Sequence, residues 1–116
     1  MSWNRRVLCV FGPVLVLAGM LGFLIPPSLA LLSGAVPYNI FHIASGIVGI
    51  AIARAGRPRG IAAFNLLFGA FDLWQAVAGA TGLFPSSLFA LRPADHVVHV
   101  FLGGFLVVLG AKGLRR

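Results

Sequence analysis

Acidic residues are almost missing from this sequence: Asp72 and Asp95 are the only two, against nine Lys and Arg in 116 residues. Charged residues of both signs make up 9%, where a soluble domain carries about 25%, so too little polar surface exists to face water. Disorder is excluded by the same composition, because 59% of the chain is hydrophobic and its mean hydropathy is +1.01. One cysteine, Cys9, leaves no partner for an internal disulfide, and no Cys/His cluster has structural-zinc spacing. Also missing are a glycine-rich phosphate loop, a nucleophile triad and paired surface carboxylates, so the expectation is no enzyme. What the chain has in abundance is long apolar runs. Its basic residues cluster at the ends of those runs, which ties the net charge of +7 to a membrane and not to nucleic acid.

Residues 7 to 53 carry no charge. At about 1.5 Å per helical residue they would reach roughly 70 Å, twice a ~30 Å hydrocarbon core, so the chain must cross and return. Pro26-Pro27-Ser28 and Ser33-Gly34 to Pro37 mark the turn, because proline lacks a backbone donor and disfavours helix before it. A basic turn, Arg54 to Gly60, follows, and Pro85-Ser86-Ser87 and Arg92-Pro93-Ala94-Asp95 mark the next return. The expected architecture is all-α: one transmembrane domain over 1–116, a four-helix bundle with spans at about 7–25, 38–54, 61–84 and 95–111. Every Lys and Arg except Arg92 falls on one side of that scheme, which predicts cytoplasmic termini in a bacterial inner membrane. The first apolar run is longer than a signal peptide's and has no Ala-x-Ala site, so it is expected to stay as a span.

The two hairpins resemble each other. Ala18 to Phe23 with Pro26-Pro27-Ser28-Leu29 parallels Ala78 to Leu83 with Pro85-Ser86-Ser87-Leu88, which pairs Gly22 with Gly82. Asn39-x-x-His42-x-x-x-Gly46 parallels His96-x-x-His99-x-x-x-Gly103. Both hairpins run in the same direction, so the expectation is a parallel repeat about an axis along the membrane normal. Small residues four apart, Ala18 with Gly22, Ala78 with Gly82 and Ser45 with Gly49, are candidates for close helix approach.

The stretch from Asn39 through His42 to Gly46 and Gly49, and that from Asp95 through His99 to Gly103, resemble a bacterial family of small four-helix membrane proteins known only as a domain of unknown function. In that family the second motif usually reads Asp-Asn-x-x-His, where this chain has His96. The resemblance implies an architecture and no activity.

Ionisable groups inside a membrane are costly, so each is a functional candidate. His42 and His99 are expected at similar depth, roughly 6 to 8 Å inside the outer end, with Asn39 and His96 one turn above them on the same faces. Together with Arg92 and Asp95 they would form one polar cluster. The first expectation for it is hydrogen bonding across helices. A second is haem b held by His42 and His99, with Gly46 and Gly103 leaving room for the ring. A third is a divalent metal on His42, His96, His99 and Asp95. Asp72 falls mid-span, where an aspartate costs about 2.5 to 3.5 kcal/mol. Asn65, Gly69, Asp72, Ala76 and Gly79, with Gln75 at the edge, draw a small and polar stripe that should face the bundle. Asp72 either bonds structurally to another helix or relays protons or cations to the histidines through Ser45, Gln75 or water. Trp3, Trp74 and Tyr38 are expected to be interfacial or packing aromatics. The leading expectation is a non-enzymatic structural or accessory subunit without cofactor, packed in the bilayer against itself or a larger complex.

Overall fold

The computed structural model describes residues 2–115 and contains helices only among them. Four are long and apolar enough to cross a membrane: α1 (Trp3–Leu24), α2 (Val36–Ala55), α3 (Pro58–Thr81) and α5 (Pro93–Leu114). The bundle is 44 Å along its longest axis, about the depth of a bilayer with its headgroups.

The helix starts lie earlier than expected, and proline explains three of them. Pro37, Pro58 and Pro93 occupy the first turns of α2, α3 and α5, where a missing N–H removes no helical bond. At the N-terminus the Ser2 hydroxyl accepts from the Arg5 amide, so α1 begins at Trp3 and carries Arg5 and Arg6. Charge therefore does not set the start of this helix. Gly82, left-handed with φ +74°, ends α3 at Thr81 and not at 84. A further short helix, α4 (Ser86–Phe89), occupies what was expected to be a turn. Pro13 lies inside α1 without ending it.

Each long helix packs most closely on its hairpin partner, α1 on α2 and α3 on α5. The closest approaches are at glycine, where backbone meets backbone. Gly12 lies on Gly46, and Gly69 lies on Gly103. Gly22 leaves room for the Asn39 side chain, and Gly79 does the same for His96. In all these contacts the second set stands 57 positions after the first, the separation of Tyr38 from Asp95. The contact equivalent of Gly22 is therefore Gly79, which corrects the pairing with Gly82. Nothing lies within 4 Å of a Cβ built on Gly82, so its role is to turn the chain.

The hairpins meet through an apolar core of Leu8, Phe11, Leu15, Ala53, Ile61, Phe68 and Leu106, extended by Phe41 and Phe64. Phe64, Phe68 and Phe41 stack in series, with centroids 5.7 and 6.1 Å apart. Hydrogen bonds close the basic end. Asn4 donates to the Leu109 carbonyl at 2.9 Å, Asn65 donates to the Asn4 side chain at 2.9 Å, and Arg5 Nε donates to the Ala53 carbonyl at 3.0 Å. These bonds gather the start of α1 and the ends of α2 and α5 at one pole, together with the start of α3 through Arg59 to Leu114.

Candidate functional site

At the opposite pole a polar cluster centres on Asp95, which is 1% exposed. Its position in the first turn of α5 lets one carboxylate oxygen accept from the Arg92 amide at 2.8 Å, which closes the helix N-terminus. The same oxygen accepts from the Ser33 amide at 2.9 Å, reaching the loop of the other hairpin. The second oxygen accepts from the Tyr38 hydroxyl at 3.1 Å. That hydroxyl also lies 2.8 Å from His99 Nε2. A phenol has one proton, so with Tyr38 donating to Asp95, His99 carries its hydrogen on Nε2 and donates to Tyr38. The Ser33 hydroxyl donates to the Phe89 carbonyl, and the Arg92 guanidinium donates to the carbonyls of Ala30 (2.6 Å) and Pro27 (3.4 Å). Every one of these bonds except that from the Arg92 amide joins one hairpin to the other.

Of the six residues expected in one outer cluster, only Arg92, Asp95 and His99 share this network. Asn39 turns away and donates to the Gly34 carbonyl at 2.9 Å. His96 packs on Gly79, its Nδ1 buried. His42 packs against Tyr38, the ring centroids 4.1 Å apart and the planes tilted by 52°, and lines a cavity behind α1. Tyr38 thus lies between the two histidines expected to face each other. It is 2% exposed and was expected only as an interfacial or packing aromatic. An aromatic near a helix end fits a membrane interface as well as a polar core, so the sequence carries no signal that separates these roles.

The residues present do not fit the haem expectation. His99 Nε2 is engaged by Tyr38. Gly46 and Gly103 leave no gap beside the histidines, because the backbones of α1 and α3 fill those positions: a Cβ on Gly46 would lie 2.7 Å from the Gly12 carbonyl, and one on Gly103 would lie 2.8 Å from the Gly69 carbonyl. For the divalent metal, no three His, Cys, Asp or Glu side chains among the described residues come together as ligands.

The stripe on α3 does face the bundle, with Asn65, Asp72 and Gln75 all buried. Gln75 donates to Asp72 at 3.3 Å. The other Asp72 oxygen, the Gln75 oxygen, the Asn65 oxygen and Nδ1 of both His96 and His99 have no partner among the described residues. Ser45 donates to the Phe41 carbonyl of its own helix at 2.6 Å, which removes it from the expected relay. Trp74 donates to the Phe84 carbonyl at 3.0 Å and is 41% exposed.

No protein-family model, curated protein or solved structure matches the chain.

Proposed function

We propose that this chain is a non-enzymatic structural or accessory subunit of a bacterial inner membrane, a duplicated helical hairpin that crosses four times with both termini in the cytoplasm. Its partners are lipid and either a second copy or a larger membrane complex. The observation that carries this reading is the Asp95 cluster, in which Ser33, Tyr38, Arg92 and His99 are used to hold one hairpin to the other. The resemblance to the family of unknown function agrees with the architecture and adds no activity.

The orientation rests on the basic pole, which carries Arg5, Arg6, Arg54, Arg57, Arg59, Lys112 and Arg115. Cysteines placed at Ser28 and Ser87, in a chain lacking Cys9, should react with an impermeant thiol reagent from the periplasmic side. One at Gly56 should react only after the membrane is opened, and the reverse pattern would invert the scheme.

A second reading, proton or cation transfer through Asp72, is favoured by the unpartnered atoms of Asp72, Gln75 and His99 inside the bundle. One preparation tests both. The purified protein should be colourless and should leave the proton leak of liposomes unchanged. A Soret band lost on His42→Ala or His99→Ala would replace the structural reading with the haem one. A leak abolished by Asp72→Asn would replace it with the second reading.

A further inference from the structure

Behind α1, at the pole of the Asp95 cluster, lies a cavity of about 400 Å³. Its walls are Ala18, Leu21 and Gly22 of α1, with His42 of α2, and its roof is the loop from Ile25 to Gly34. This volume lies within the roughly 300–1,000 Å³ of small-molecule sites. Leu21, Leu29 and Leu31 of its lining are exposed, so it opens to the outside of the bundle and not into the core.

Only two lining side chains are polar. Ser33 is already engaged, donating to the Phe89 carbonyl and accepting from the Ala35 amide. His42 is different: its half-buried imidazole packs at a tilt against the Tyr38 ring and has no hydrogen-bond partner among the described residues. It is held in orientation and left with its hydrogen-bonding capacity free. The bland role for such a histidine is register-fixing across helices, but no bond from His42 does that here.

We propose that this cavity binds a neutral, membrane-dissolved quinone, with one ring carbonyl accepting a hydrogen bond from His42. The chemistry of the walls selects the class. No Lys, Arg, Asp or Glu lines the cavity, and the Arg92 guanidinium beside its roof is engaged by the Pro27 and Ala30 carbonyls, so a fatty-acid carboxylate or a lipid phosphate would lose its hydration without a free counter-charge. A neutral ring with an acceptor at its edge needs one donor and an apolar bed. The ring and the first carbons of its tail fill the available volume, the tail leaves past the exposed leucines, and the second carbonyl sits at the open side. The Arg92 bonds to Pro27 and Ala30 fix the roof to the second hairpin, so the cavity is preformed.

The test is titration of a decyl-tailed ubiquinone analogue into the full chain in phosphatidylcholine nanodiscs. Binding is read as the shift in thermal midpoint and as quinone retained through size exclusion. We expect saturable binding at one quinone per chain. His42→Phe keeps an aromatic ring against Tyr38 but removes the donor and should weaken binding about tenfold or more. Ala18→Phe fills the cavity from the α1 side and should abolish binding while helicity stays at the wild-type level. Oleic acid and dioleoylglycerol should not compete. Binding that does not saturate, that is equal in wild type and both variants, or that either lipid displaces would overturn the proposal.

Discussion

Gly103→Ala should destabilise the protein by about 3 kcal/mol, while Gly104→Ala, one residue along, should leave it unchanged or slightly more stable. A Cβ on Gly103 would stand 2.8 Å from the Gly69 carbonyl oxygen, 2.9 Å from Asp72 Cβ and 3.0 Å from the Leu73 amide. Two of those atoms are backbone and the third is fixed to it, so no side chain can rotate away. The helices would have to separate, which loses the packing that holds helices together in lipid, where no hydrophobic force replaces it. Around Gly104 nothing lies within 4 Å, and alanine has the better helix propensity. Unfolding in mixed micelles of increasing sodium dodecyl sulfate measures both. Equal effects at the two positions would show that α3 and α5 do not meet at this face.

Asp95→Ala should cost a similar amount, about 3 kcal/mol or more. It removes the acceptor for the Ser33 amide, the Arg92 amide and the Tyr38 hydroxyl together, and stranded buried donors cost about 1–3 kcal/mol each where nothing else can reach them. Asp95→Asn should lose only about 1 kcal/mol. The amide oxygen can take over the two backbone donors. Its NH2 can donate to the Tyr38 hydroxyl, which then donates its own proton to His99 Nε2, with the imidazole hydrogen moved to Nδ1. A loss as large for Asn as for Ala would show that the negative charge, and not the pattern of acceptors, holds the cluster. The same unfolding assay separates the two outcomes.

How much of this was legible in the sequence depends on the kind of signal. Length, apolar runs and breaks are strong one-dimensional signals, and they place all four long helices. Asp72 and Asn65 stood out because polarity at 3.6-residue spacing in an apolar helix has one low-cost location, facing protein. Three of the helix starts were missed because proline reads as a breaker in sequence, while at Pro58 and Pro93 it is the first residue of a helix. The close glycine contacts were missed for a related reason. Gly12, Gly46, Gly69 and Gly103 meet across helices, so no spacing within one helix announces them. Spacing instead pointed to Gly82, which turns the chain. Tyr38 was missed because its role comes from Asp95 and His99, which are distant in the chain. Conversely, the motif spacing around His42 and His99 suggested a facing pair, and a single tyrosine from the same helix as His42 intervenes.

The most direct test of the account is a double-mutant cycle between Tyr38→Phe and Asp95→Ala, read by reversible unfolding in mixed micelles. The central claim is that this cluster braces the two hairpins, and the Tyr38–Asp95 bond is its only side chain–side chain carboxylate bond between them among the described residues. The account predicts a coupling of about 1 kcal/mol, in the range found for interhelical hydrogen bonds in membranes. Strictly additive losses, with a coupling below about 0.3 kcal/mol, would contradict it.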